Sequence, residues 1–144
     1  MLPTRSRIWY EDGTVVVEAE KTQFKVHRSL LSQSSSVFRD MFTSPQPLNL
    51  QEELVEGCPV VQLTDSKMDV EHVFDALFRP REFLGKPLPI GVVAAFLRLG
   101  MKYDIDALRK EALRRLYYEF PVDFDTFLAT DDWTMTLDRD LMSS

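Results

Sequence analysis

FKVHRSLLSQSSSVFRDMF, Phe24 to Phe42, changes period in its middle. From Gln23 to His27 the chain alternates: Phe24 and Val26 face one side, Gln23, Lys25 and His27 the other, as in a half-buried strand. After His27-Arg28 the apolar residues cluster at helical spacing. Ser29 is placed to cap a short helix carrying Leu30 and Leu31. Ser34 or Ser35 is placed to cap the next, with Val37, Phe38, Met41 and Phe42 on its apolar side. Serine oxygens accept backbone N–H bonds at helix starts, so the serine run reads as restarts of the backbone rather than a reactive cluster. His27-Arg28 is then either a chemical site or the corner where a strand meets a helical hairpin.

Working outward, Asp12-Gly13 is a turn signal between Ile8-Trp9-Tyr10 and Thr14-Val15-Val16-Val17. Glu20-Lys21-Thr22 is a second polar break, and the two strands flanking it suggest an antiparallel hairpin. Thr43 to Pro59, with Pro45, Pro47 and Pro59, is a long connection with room for one helical turn at Gln51–Val55. Val60-Val61-Gln62-Leu63 is a short strand. Ser66-Lys67-Met68-Asp69 resembles a capping box, followed by Val70, Val73, Phe74, Leu77 and Phe78 at i, i+3, i+4, i+7 and i+8. That helix stops at Arg79-Pro80. Phe83 to Pro89 is a proline-bounded connector with room for a residual strand. Pro89 suits the first turn of a helix running to about Tyr103. Asp104 or Asp106 can cap a last helix, Ala107 to Phe120, which Pro121 stops. Val122 to Ser144 has helical character and either packs back on the domain or opens a further region.

The 144 residues suffice for one domain with a core, burying roughly 68–70% of the unfolded surface. Apolar content of 44% with 28% charged residues is the mix of a soluble globular protein. A formal net charge of −6 argues against nucleic acid, since phosphate backbones select clustered Lys and Arg. The single cysteine, Cys58, has no internal partner, which points to a reducing, intracellular compartment, cytoplasmic or nuclear. No apolar run approaches the roughly 18–20 residues of a membrane span. The basic residues of Met1–Arg7 are followed by no apolar h-region, so no secretory signal is read there.

Catalytic chemistry finds little to use. His27, His72 and Cys58 have no paired metal-ligand spacing, so neither a metal nor another cofactor is expected. No nucleophile elbow, Walker loop or G-x-G-x-x-G occurs. Glu52-Glu53, Asp104/Asp106 and Asp131-Asp132 read as solvated or capping acids. Arg109, Lys110, Arg114 and Arg115 read as a solvated helix face, with Glu111 four residues before Arg115. No catalytic residue is assigned. A cryptic enzyme using Cys58 or His27, and a nucleic-acid binder using the basic helix, stand as rivals.

The register Phe24-x-Val26-His27-Arg28-x-x-Leu31, then Ser35-x-Val37-Phe38-x-x-Met41-Phe42, resembles the BTB/POZ domain. Val60–Leu63 resembles its third strand and Val70–Phe78 its central helix. Phe96–Tyr103 with Leu108-Arg109-Lys110 resembles its closing hairpin. The resemblance spans about Asp12 to Glu119. Trp9–Gly13 and Leu54–Pro59 are similar to the members abundant in mushroom-forming fungi. It implies an α+β fold: an N-terminal hairpin and a short third strand, a small mixed sheet packed on five or more helices. The domain is expected at 1–121, with 122–144 as a C-terminal extension.

The family implies a non-enzymatic scaffold for protein assembly, with His27-Arg28 as a structural corner. Partners would be proteins: a second copy in a homodimer, and cullin-3 for an adaptor of ubiquitin ligases. Oligomerisation of a transcription regulator is the alternative. No membrane, nucleic acid or small molecule is expected. The candidate homodimer surface is Ile8, Trp9, Tyr10, Leu30, Leu31, Val37 and Phe38. The candidate partner face is Phe78, Arg81, Glu82, Phe83 and Tyr103. Two departures stand out. Zinc-finger members place an Asp where ungapped counting from Phe24 puts Thr14. Pro80-Arg81-Glu82 has a poor hydrophobe where cullin-3 binders often carry hydrophobic-x-Glu.

Overall fold

A computed structural model describes residues 2–43, 54–82 and 86–119. Among them lie five strands: β1 (Thr4–Trp9), β2 (Val15–Ala19), β3 (Thr22–Val26), β4 (Leu54–Val55) and β5 (Cys58–Leu63). The helices are α1 (Arg28–Ser34), α2 (Ser36–Thr43), α3 (Lys67–Phe78), α4 (Ile90–Lys102) and α5 (Asp106–Glu119), with a 3₁₀ turn at Pro80–Glu82. The strands form one mixed sheet in the order β1-β3-β2-β5-β4.

The expected hairpin is β2–β3, antiparallel from Val15↔Val26 to Ala19↔Thr22. Its two-residue turn holds both Glu20 (φ 47°) and Lys21 (φ 60°) in the left-handed region, the twist a tight hairpin demands but normally assigns to Asn and Gly. Glu20 is useful there, because its carboxylate accepts the Lys67 N–H at the start of α3 at 2.8 Å. Lys21 has no such role, and its left-handed backbone is the strained position. Lys21→Gly is expected to raise stability by roughly 0.5–1 kcal/mol, seen as a higher denaturant midpoint with unchanged slope.

Asp12-Gly13 turns the chain, yet β1 does not pair with β2. It crosses to the far side and runs parallel to β3, pairing Thr4↔Thr22, Arg5↔Gln23 and Trp9↔Lys25. Four steps along β1 match two along β3, so β1 bulges between Arg5 and Trp9. β5 adds parallel to β2, and Leu54–Val55, expected as part of a helical turn, pairs antiparallel with β5 across the Glu56-Gly57 turn. Gln51–Glu53 lie outside the described residues. Lys86–Pro89 forms no strand.

One face of the sheet carries Val15, Val17, Ala19, Phe24 and Val26, all fully buried against the helices. Phe24 meets Phe74 of α3 edge to face with centroids 5.6 Å apart. Ser66 caps α3 by accepting the Asp69 N–H at 3.1 Å. The box is not reciprocal: the Asp69 carboxylate takes both Arg98 N–H groups at 3.0 Å, tying α3 to α4. Pro89 precedes α4 as expected. Gly100 lets α4 and α5 close up, since a Cβ there would stand 3.0 Å from the Arg109 backbone nitrogen.

Candidate interaction surface

The corner at His27-Arg28 is built by backbone needs. His27 is the residue before α1, and its side chain makes no cap bond. The N–H of Arg28, an orphan donor in the first turn, instead goes to the Thr14 hydroxyl at 2.8 Å. Thr14 in turn donates its own N–H to the Val26 carbonyl at 2.9 Å. The expected Ser29 cap is therefore corrected: Ser29 lies inside α1, and the capping oxygen comes from β2's approach, fourteen positions earlier. Ser35 does cap α2, accepting the Phe38 N–H at 3.0 Å. Its hydroxyl also donates to the Tyr103 carbonyl, while the Ser36 hydroxyl donates to Asp104. The serine run thus pins the α1–α2 hairpin to the α4–α5 junction.

His27 Nε2 lies 3.4 Å from an Asp12 carboxylate oxygen, and its ring rests 5.3 Å from Tyr10. A histidine beside an acid needs a nucleophile before it can act as a general base. Cys58 does not supply one, since its buried thiol turns to the Gly13 carbonyl at 3.5 Å. Among the described residues no three His, Cys, Asp or Glu side chains group as metal ligands.

The side chains expected at the homodimer surface divide in two. Ile8, Leu31 and Phe38 are no more than 2% exposed and belong to the core. Such a side chain has no apolar area left to offer a second copy, so burial removes these three from the surface. Trp9, Tyr10 and Val37 are half-buried and Leu30 is 41% exposed. Arg5 stacks its guanidinium 4.2 Å over the Trp9 ring. The outer edge of β1 is a poor template for another strand: the bulge breaks its line, and the Ile8 N–H is taken by the Ser6 hydroxyl at 3.0 Å.

The expected partner face divides likewise. Arg81 and Glu82 are exposed on the 3₁₀ turn, and Glu82 stands 3.8 Å from Arg79. Phe78 is half-buried, edge-on to Phe74 and 5.7 Å from Tyr10. Tyr103 is 6% exposed, stacks on Phe38 at 4.7 Å, and donates its hydroxyl to Asp65. Burial, first, and that bond to an acceptor carboxylate hold its phenol far above the ordinary value. Tyr103 is thus a packing residue, which corrects its expected exposure. Phe83 lies outside the described residues. Because Tyr10 touches both His27 and Phe78, the two expected faces are joined by one run of rings rather than standing apart.

Several polar links escape a reading of the sequence. Lys25, 4% exposed, extends to the Glu11 carbonyl at 2.9 Å and to Glu56 at 2.8 Å. That hydrogen bond, then the charges of Lys25 and Arg5, holds the Glu56 carboxyl below its usual range. Arg7 of β1 binds Glu71 at 3.0 Å and also Asp75, both on α3. The sequence signal was there in outline: acids at i and i+4 on one helix, and an arginine directly before the apolar Ile8-Trp9 of β1.

A family model described as "BTB/POZ domain" matches residues 4–119, from the start of β1 to the end of α5. The chain belongs to the BTB/POZ family. No curated protein matches it at a significant level. A BTB/POZ domain is a protein-interaction module, of a family typically without enzymatic activity, and its partners are proteins. The match begins at Thr4 and so takes in β1, beyond the Asp12 start read from the motif alone. Among the described residues no helix is long and apolar enough to cross a membrane.

Proposed function

We propose that this BTB/POZ domain works by assembly alone, pairing with a second copy of itself and holding a different protein on an adjoining face. The observation that carries the reading is Leu30. It sits beside fully buried Leu31 on α1, yet leaves 41% of its own surface in water. It stands three residues after His27, whose ring meets Tyr10, which in turn meets Phe78; Trp9 and Val37 are the other half-exposed residues of the expected surface. Burying such side chains yields about 25 cal/mol per Å² before ordering costs are subtracted.

The second face is the turn after α3, where Arg81 and Glu82 are exposed beside Phe78. Cullin-3 is the partner proposed for it, which would make the chain a ubiquitin-ligase adaptor in an intracellular compartment. Neither face requires a chemical step; His27 has Asp12 beside it, while the Cys58 thiol turns to the Gly13 carbonyl.

Light scattering across a hundredfold range of concentration tests the first half. The expected result is a dimer whose dissociation constant rises at least tenfold in Leu30→Glu, with the fold intact by circular dichroism. A wild-type chain that stays monomeric throughout would remove homodimerisation from the proposal. Binding to purified cullin-3 that is unchanged by the Arg81→Glu/Glu82→Arg exchange would remove the second face.

A further inference from the structure

A half-open groove of about 260 Å³ lies between the end of α3, α4 and the start of α5. Leu77, Pro80, Leu88, Phe96, Ala107 and Leu108 line it, and its polar members are Glu111 and Arg115. Arg115 crosses one end, donating to Glu111 at 2.8 Å and to the Lys86 carbonyl at 2.8 Å. Glu111 is held below the usual carboxylate range, by its bond to Arg114 first and to Arg115 after. The acid is therefore matched by two arginines; Lys86, whose carbonyl Arg115 holds, is exposed, and exposed Arg81 follows Pro80 of the lining.

Residues 120–144 lie outside the described residues, but their sequence is informative. They hold six aspartates and one arginine, so five of the chain's six net negative charges fall there. After Phe120 and Val122 they hold Phe124, Phe127 and Leu128, with Asp123 and Asp125 on either side of Phe124. The segment starts one turn beyond Arg115, at the end of α5. From Glu119 back to Leu108 is about 16 Å at helical rise, and nine residues of extended chain span about 30 Å. The reach is sufficient.

We infer that the groove is the docking site of the chain's own segment 120–128, with Phe124, Phe127 and Leu128 against its apolar floor and Asp123 and Asp125 toward Arg115, Lys86 and Arg81. Three features select this occupant over a second copy or a foreign peptide: the segment is tethered at the groove's end, its charge is opposite to the basic end, and its apolar cluster falls within the tether's reach. With this occupant the domain carries its own competitor for any protein that would bind the groove.

The test uses the full chain with Cys58→Ser and Thr126→Cys, a nitroxide label on the new thiol, and methyl NMR. The expected result is at least a twofold loss of signal at Ala107, Leu77 and Leu88, with Leu54 on the far edge of the sheet unaffected. Ala107→Glu adds an acid that the first turn of α5 tolerates, and it should restore the Leu77 and Leu88 signals, while Phe124→Ser/Phe127→Ser should restore all three. No broadening at the groove overturns the inference. So does broadening that appears only when labelled and unlabelled copies are mixed, which would assign the groove to a second chain. Broadening untouched by either variant, or abolished instead by Phe83→Ser, overturns it as well. Light scattering of the same samples separates this outcome from the fate of the homodimer proposal.

Discussion

Phe38→Ala is expected to lower the unfolding free energy by roughly 3–5 kcal/mol, and to do so equally at every protein concentration. Phe38 is 1% exposed, lies 4.7 Å from the Tyr103 ring and 6.0 Å from Phe42, and occupies the position whose N–H Ser35 caps. Truncation leaves a hole between α2 and the α4–α5 junction. The neighbours that would have to fill it are held elsewhere: Tyr103 by its bond to Asp65, and the junction by the Ser35 and Ser36 bonds. The hole therefore collapses poorly, which places the cost toward the upper end. Denaturant unfolding at two concentrations a hundredfold apart measures it. Leu30→Ala is the contrast: it removes a half-exposed side chain, should cost under about 1 kcal/mol in the monomer, and should act on self-association. If Phe38→Ala instead left monomer stability within 1 kcal/mol and only weakened a dimer, the assignment of Phe38 to the core would be wrong.

This contrast shows where the sequence is legible and where it is not. Period reveals which side of an element is apolar. It located β3, the α1–α2 hairpin, α3, α4 and α5 to within a residue or two, and the BTB/POZ motif tied them into one fold. It does not reveal how much of an apolar face the chain's own core consumes. Leu30 and Leu31 are indistinguishable by type, yet one is 41% exposed and the other fully buried, because only a third dimension separates them. The same limit applies to Tyr103, expected on the partner face, whose hydroxyl is taken by Asp65, 38 positions away.

Capping is local in most helices, and there the reading held for Ser35 and Ser66. At α1 the cap is Thr14, brought in by the return of β3 along β2, so nothing near Ser29 could signal it. Sheet order fails for a similar reason. A turn at Asp12-Gly13 leads a reader to pair β1 with β2, but the bulge lets β1 cross and lie parallel to β3. Hydrogen bonds across a sheet leave no mark on the side-chain alternation of either strand.

The link between β1 and α3 yields the second large effect. Arg7→Ala is expected to destabilise the domain by about 2–3 kcal/mol. The Asp75 side chain is 8% exposed, and one of its carboxylate oxygens, Oδ1, has no hydrogen-bond partner among the described residues, so Arg7 is what compensates its charge there. The bond to Asp75, ahead of the charges of Asp75 and Glu71, also lifts the Arg7 guanidinium above its ordinary value, and Arg7 is ionised at any working pH. Deleting it strands a buried carboxylate. The Arg7 side chain is 53% exposed, and solvent screening keeps the loss below the roughly 3–5 kcal/mol of a fully buried pair. The physical content lies in the double variant. Arg7→Met/Asp75→Leu removes the charge together with its compensation, fills the same space with apolar atoms, and should return to within about 1 kcal/mol of the wild type. Hydrophobic isosteres recover stability because desolvating the pair offsets most of its Coulombic gain. A double variant as unstable as Arg7→Ala would mean that Arg7 acts through Glu71, its partner at 3.0 Å, and that Asp75 is compensated by some other group. The single variant Asp75→Leu decides between them: recovery close to the double variant assigns the cost to the stranded carboxylate, and no recovery assigns it to the arginine's own contacts with α3.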